Sequence, residues 1–250
     1  SESITTHEYL HPTSKIAIPY VLYHPAADTP SAKRSLVIFL YGAGGSLTHY
    51  NLARPPYAQL REQLADRGYY VVVPELGKRH FMNDAAQTTL DGIVEEVLAQ
   101  QQVPGNRVHV MGTSMGGGSS LAYAIHRPDL IRSVCAVMPM TDFGLWVVEN
   151  PKYAMPVAQA FGGSTQQVPE IYDRNSATKN VETFANIPVM LVHGTSDTVV
   201  LYEHSRKLAE LLHDRKSVCR LCTAESLTHE DAVMLDFQIE AADFFDAATD

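Results

Sequence analysis

The sequence predicts an α/β fold in which helices cover both faces of a mostly parallel central sheet. Short apolar runs of strand length alternate with helical patterns along the chain, which is typical of strands buried on both faces. Two of these runs, residues 36–40 and 189–192, lead directly into glycine-containing turns. Open α/β sheets carry their sites at the carboxyl ends of the strands, so these turns are the first places to expect chemistry.

The hydrophobic pattern gives the elements in order. A β-hairpin is expected first, at residues 6–10 and 16–24. The later strands are expected at residues 36–40, 69–74, 107–111, 133–138, 187–193 and 217–223, and the helices at residues 58–67, 90–98, 116–126, 205–214 and 230–247. One long segment, residues 141–186, departs from this alternation and is predicted to be a small helical excursion beside the site.

Composition excludes several classes of function. The chain has 250 residues, of which 45% are hydrophobic and 19% charged, and its formal net charge is −9. This acidic balance argues against a nucleic-acid partner, which requires concentrated Lys and Arg. No apolar run approaches the roughly 20 residues that span a bilayer. We expect one soluble α/β domain over residues 1–250, with the oligomeric state left open.

The compartment also stays open. The first residues have neither the basic region nor the apolar region of a signal peptide. The chain lacks an initiator Met, however, so both a cytoplasmic protein and a protein secreted after removal of an upstream segment fit the sequence.

Residues 112–116 match the pattern G-x-S-x-G and make Ser114 the candidate nucleophile. A serine attacks only when a base takes its proton and when its oxygen projects from the scaffold. A sharp turn from strand to helix provides that projection by forcing the serine into strained dihedrals. A predicted strand precedes the pattern, and a run of small residues opens a helix behind it, as such a turn requires.

An acid and a base are expected after the nucleophile, in that order. Asp197 follows the apolar strand that ends near His193, and His229 lies between the last predicted strand and the last helix. We therefore predict Asp197 as the acid that orients His229, and His229 as the general base. A rival position for the acid is Asp142, after the preceding strand. His193 is expected to be a structural donor in the acid loop.

An oxyanion hole needs at least two donors. We predict the backbone N–H groups of Met115 and Ala43, with Gly44 as an alternative to Ala43. Loop position alone suggests four further residues as substrate contacts: Tyr41, His49, His80 and Trp146.

Together these residues resemble the α/β-hydrolase superfamily over nearly the whole chain. Within it, the chain is most similar to the catalytic domain of the prolyl oligopeptidase family and its small esterase relatives. Residues 40–45 resemble that family's L-Y-G-x-G-G turn, and residues 172–176 and 187–197 resemble its approach to the acid.

The resemblance implies an acyl-transfer enzyme that uses no metal or organic cofactor. Two departures favour an esterase over a peptidase. The length leaves no room for the family's propeller domain, and Ala43 stands where some members have a tyrosine that assists the oxyanion. We expect hydrolysis of small-molecule carboxylic esters. A small peptidase or amidase, or a non-catalytic ligand-binding homologue, stays as an alternative.

Overall fold

The computed structural model describes residues 3–47 and 54–249, and eight strands within them form one sheet. In chain order the strands are β1 (Ile4–Leu10), β2 (Ala17–Tyr23), β3 (Ser35–Leu40), β4 (Tyr69–Pro74), β5 (Val108–Thr113), β6 (Ile131–Val137), β7 (Val189–Gly194) and β8 (Cys219–Ala224). Their order across the sheet is β1-β2-β4-β3-β5-β6-β7-β8.

The sheet is mostly parallel. β1 and β2 form an antiparallel hairpin, and β2 pairs antiparallel with β4. The remaining neighbours, from β4 through β8, all pair in parallel. The predicted hairpin and the predicted parallel sheet are therefore confirmed. The carboxyl ends of β5 and β7 lie at the same edge of the sheet, which is where the predicted nucleophile and acid follow.

Helices cover both faces, as predicted. In the described residues they are α1 (Pro55–Asp66), α2 (Asp84–Gln100), α3 (Met115–His126), α4 (Phe143–Glu149), α5 (Ala154–Phe161), α6 (Pro169–Arg174), α7 (Glu203–Asp214) and α8 (Gln238–Thr249). Alternate residues of β3 point into two separate cores. Leu60 of α1 and Phe245 of α8 belong to the first core. Leu90 of α2 and Leu208 of α7 belong to the second.

The segment 141–186 is the expected helical excursion. It contains α4, α5 and α6 together with three short 3₁₀ turns. Trp146 stacks on Tyr153 with ring centroids 4.6 Å apart, and its Nε1–H donates to the carbonyl of Val199 at 2.9 Å. The excursion is thus packed against the loop that carries the predicted acid.

The last helix differs from the expectation. It begins at Gln238 rather than at residue 230, and Asp231–Met234 form a 3₁₀ turn. Glu230 has an extended backbone, with φ −149° and ψ 148°. The carboxylate of Asp231 accepts hydrogen bonds from residues outside this segment, and such tertiary contacts override helical propensity. In the described part of the chain, no helix combines the length and the apolar character needed to cross a bilayer.

Two buried histidines predict how stability responds to pH. Burial lowers the pKa of His109 to about 3, with the nearby Arg132 and Arg107 adding to the effect, and burial also lowers the pKa of His80 to about 3. Both rings stay neutral in the folded protein, whereas the unfolded chain takes up protons below about pH 6.5. We expect the free energy of unfolding to fall as pH drops from about 6.5 to 4, by up to ~1.4 kcal/mol per pH unit for each ring.

Urea unfolding at pH 7.5, 6.5, 5.5 and 4.5 measures the slope of the unfolding free energy against pH. His109→Gln is expected to make the slope shallower, because it removes one buried ring that bridges Ser133 and Thr249. The matched control is His213→Gln at an exposed histidine, which should keep the wild-type slope. A wild-type unfolding free energy that is constant from pH 7.5 to 4.5 would contradict the expectation.

Candidate active site

Ser114 stands in a sharp turn between β5 and α3. Its backbone has φ 56° and ψ −116°, in the region that non-glycine residues rarely adopt. The Ser114 N–H donates to the carbonyl of Val137 at 2.9 Å, and the Ser114 carbonyl accepts from the N–H of Gly117 at 2.9 Å. The strain predicted for this serine is therefore present, and hydrogen bonds on both sides hold it.

The glycines at 112 and 116 allow this turn to form. A Cβ atom on Gly116 would collide with the carbonyl of Leu40 in β3, and one on Gly112 would collide with the carbonyl of Gly116. The start of α3 therefore lies so close to the sheet that only glycine fits at residues 112 and 116. This approach places Ser114 at the carboxyl edge of the sheet, beside the turn that follows β3.

The structure brings Ser114, His229 and Asp197 together. The Ser114 hydroxyl lies 2.7 Å from His229 Nε2, and His229 Nδ1 lies 2.7 Å from Asp197 Oδ2. An ionised carboxylate only accepts hydrogen bonds, so Nδ1 carries the proton and Nε2 accepts from the hydroxyl. The Asp197 side chain is fully buried, while that of His229 is 16% exposed. The acid is therefore sealed from solvent and the imidazole is not.

Several donors hold the Asp197 carboxylate. Its Oδ1 accepts from the N–H groups of Val199 and Val200, each at 2.9 Å, and His193 Nε2 lies 3.3 Å from its Oδ2. Burial alone raises the pKa of Asp197, but the hydrogen bonds from His193, His229 and Val200 outweigh it and hold the pKa far below its usual range. The carboxylate is therefore ionised at neutral pH.

His193, near the end of β7, contacts the loop that carries Asp197. Its Nδ1 lies 2.7 Å from the hydroxyl of Ser205, and its Nε2 lies 2.8 Å from the carbonyl of Val200. With a carbonyl and a carboxylate both facing Nε2, the proton of the ring belongs on that nitrogen. This contact supports the interpretation of His193 as a structural donor.

Asp142, the rival candidate for the acid, bonds to the start of a helix rather than to His229. Its Oδ1 accepts from the N–H of Leu145 at 3.0 Å and caps the start of α4. The carboxylate paired with His229 is that of Asp197. The geometry therefore favours Asp197 over Asp142.

The predicted oxyanion donors differ in availability. Met115 is the first residue of α3, so its N–H has no partner within the helix. Among the described residues, the N–H groups of Met115 and Ala43 have no hydrogen-bond partner. The N–H of Gly44 donates to the carbonyl of Lys78 at 2.6 Å. The Gly44 N–H is therefore already used as a donor in this structure, whereas the N–H groups of Ala43 and Met115 are available.

Two of the four predicted substrate contacts are core residues, which corrects those predictions. Tyr41 is 1% exposed and Trp146 is 2% exposed. The Tyr41 hydroxyl donates to the carbonyl of Gly77 at 2.8 Å and accepts from the N–H of Leu76 at 2.9 Å. Aromatic rings near the carboxyl edge of a sheet can serve either the core or a pocket, and the sequence does not distinguish the two.

The other two predicted contacts stay untested. His80 is buried with its ring edge-on to Tyr41, and its Nδ1 accepts from the N–H of Met82 at 2.9 Å. The proton is therefore on His80 Nε2, which is buried without a hydrogen-bond partner among the described residues. His49 lies outside the described residues.

Sequence reasoning missed the loop that supports the turn after β3, where Ala43 is a predicted oxyanion donor. The carboxylate of Glu75 accepts from the N–H of Leu47 at 3.0 Å, and Lys78 holds Gly44 as described above. With the Tyr41 contacts to Leu76 and Gly77, these bonds join the turn after β3 to the loop after β4. The neighbouring parallel strands β3 and β4 were a signal that the loops following them meet.

Comparison with known proteins identifies relatives of this chain. The model of the prolyl oligopeptidase family matches residues 57–249. The chain is 29% identical over 208 residues to mouse dipeptidyl peptidase 8, a match that covers 77% of this chain and 22% of that protein. It is 28% identical over 180 residues to YtmA, an uncharacterized peptidase of Bacillus subtilis, with 70% and 68% covered. The chain thus spans about a fifth of the length of dipeptidyl peptidase 8.

A solved structure shows the same fold over the full chain. The S-formylglutathione hydrolase of Agrobacterium tumefaciens superposes with a TM-score of 0.79 at 16% identity, covering 100% of this chain and 96% of that one. At this identity the likeness concerns the fold alone. The predicted α/β-hydrolase fold is confirmed.

The two candidate acids can be tested against each other. Replacing Asp197 with Asn removes the charge that holds the His229 tautomer, so kcat is expected to fall by about 10⁴-fold. Asp142→Asn is the matched control and should leave kcat close to the wild-type value, since Asp142 caps α4. Steady-state kinetics on an activated ester measures both. An inactive Asp142→Asn protein alongside an active Asp197→Asn protein would reverse the assignment.

Proposed function

Because the chain belongs to the prolyl oligopeptidase family, we propose that it is a serine hydrolase that cleaves carboxylic esters through an acyl-enzyme on Ser114. One observation carries the proposal. The strained serine donates to an imidazole at 2.7 Å, and that imidazole donates to a buried carboxylate at 2.7 Å. This arrangement supports a nucleophile, a general base and an orienting acid in a single hydrogen-bonded relay.

Acylation begins when the Ser114 oxygen attacks the ester carbonyl. His229 Nε2 takes the hydroxyl proton and becomes an imidazolium, which the Asp197 carboxylate stabilises through Nδ1–H. The C–O bond to the alcohol then breaks, and the imidazolium gives its proton to the leaving oxygen. Water resolves the acyl-enzyme by the same route, so that the acid is released and Ser114 regains its proton.

The developing negative charge on the carbonyl oxygen needs donors that are already in place. The Ala43 and Met115 N–H groups are proposed to bind it. Met115 follows Ser114 in the chain, and the turn that carries Ala43 follows β3, the strand paired with β5. Among the described residues, neither N–H has another acceptor. The positive end of the α3 dipole, at Met115, adds to this stabilisation.

The absence of a side-chain donor at Ala43 in the proposed oxyanion hole favours ester cleavage over amide cleavage. Ala43 carries no hydroxyl, so the oxyanion receives backbone donors alone from this turn. An alkoxide leaves more readily than an amine, so an ester places less demand on the hole and on protonation of the leaving group. The peptidase relatives nevertheless favour a second candidate, a small peptidase or amidase acting through the same three residues.

Two substrate series distinguish these candidates. With p-nitrophenyl esters of increasing acyl length and aminoacyl arylamides run in parallel, we expect kcat/KM to be higher for the esters. A fluorophosphonate probe should label the wild-type protein and leave Ser114→Ala unlabelled, and Ser114→Ala should lose ester turnover. Higher kcat/KM for arylamides would favour the peptidase. Turnover by Ser114→Ala equal to that of the wild type would refute the acyl-enzyme.

A further inference from the structure

A second hydrogen-bonded contact lies directly beside the relay. Asp231 Oδ1 accepts from the Thr113 hydroxyl at 2.9 Å and from the Tyr57 hydroxyl at 2.7 Å. Thr113 precedes Ser114 in the chain, and Asp231 follows His229 by two residues. The contact therefore joins the strand that carries the nucleophile to the loop that carries the imidazole.

The loop around His229 has little regular structure of its own. It lies between the end of β8 at Ala224 and the 3₁₀ turn that begins at Asp231. On the side of the acid, the Leu227 carbonyl accepts from the N–H of Ser196 at 3.0 Å, which fixes the loop next to Asp197. On the side of the nucleophile, the contact of Asp231 with Thr113 fixes it next to Ser114. His229 thus lies between one anchor to the acid loop and one anchor to β5.

We propose that Asp231 is a positioning residue that holds His229 within hydrogen-bond distance of Ser114. The inference rests on the proposed function and deepens it. The Ser114–His229 bond joins two segments 115 residues apart in sequence, so its length depends on whatever fixes one segment to the other. Thr113 is fully buried, which keeps water from replacing its bond to Asp231. A loss of this anchor costs catalysis because a misplaced base takes the serine proton more slowly.

The geometry allows two possible effects of Asp231 to be distinguished, its hydrogen bonds and its negative charge. Both hydroxyls donate to the same oxygen, Oδ1. An Asn at 231 keeps an acceptor oxygen at that place and loses the negative charge. Asp231→Asn should therefore retain most of the wild-type kcat, whereas Asp231→Ala should not.

Substitutions on the donor side give the closest test. Thr113→Val keeps the shape and removes the hydroxyl, so kcat is expected to fall about tenfold with KM nearly unchanged. Thr113→Ser restores the donor and should recover most of kcat. Tyr57→Phe removes the bond to α1 and leaves the Thr113 bond in place. It is the control for stability: its thermal midpoint should fall as that of Thr113→Val does, with a smaller loss of kcat.

The measurements are kcat and KM for a p-nitrophenyl ester, the rate of fluorophosphonate labelling, and the thermal midpoint of each variant. Slower labelling by Thr113→Val, with recovery by Thr113→Ser, supports the inference. Equal kcat in Thr113→Val and wild type, or equal loss in Asp231→Asn and Asp231→Ala, overturns it. Wild-type turnover that Ser114→Ala abolishes supports the proposed function separately, so failure of the inference is distinguishable from failure of the function.

Discussion

The candidate site depends on a single backbone constraint, the positive φ of Ser114. A non-glycine residue in such a conformation costs on the order of 1–3 kcal/mol, and it persists only where the surroundings determine it. Here the surroundings are the end of β5, the start of α3 and the neighbouring strand β6, whose Val137 carbonyl holds the serine N–H. Gly116 allows α3 to begin against β3. The strain thus follows from the packing of three elements that are buried for other reasons.

A second constraint is electrostatic and lies in the acid loop after β7, two strands away from β5 in the sheet. Asp197 carries a charge in a place that water does not reach, and such a charge is costly unless it is hydrogen-bonded. Two backbone N–H groups, His193 and His229 together supply the donors. Three of these four donors lie within four residues of Asp197 in the chain. The fourth, His229, is held in one tautomer by the charge that it helps to stabilise.

Sequence patterns predicted the fold, and they also predicted that three distant side chains would meet, because both predictions depend on local rules. Strand length, glycine spacing and the order of serine, acid and histidine are all readable along the chain, and Ser114, Asp197 and His229 meet as expected. The failures concern tertiary contacts. Tyr41 and Trp146 were expected at the substrate, yet both lie in the core, because their polar groups bind backbone carbonyls. The late start of α8 has the same origin, since Asp231 binds residues from two distant elements.

The same dependence on tertiary contacts explains why the excursion at 141–186 matters to the acid. Val199 links the two. Its N–H donates to Asp197 Oδ1, and its carbonyl accepts from Trp146 Nε1 and from Asn150 Nδ2, at 2.9 and 3.0 Å. The Val199 carbonyl and the Val200 N–H belong to one peptide group, and that N–H donates to Asp197 Oδ1 and lowers the pKa of the carboxyl. A displacement of Trp146 with α4 would therefore act on this donor. Hydrogen bonds thus connect the excursion to the loop that carries Asp197. Trp146 is buried away from any substrate, and its role in this structure is to make that connection.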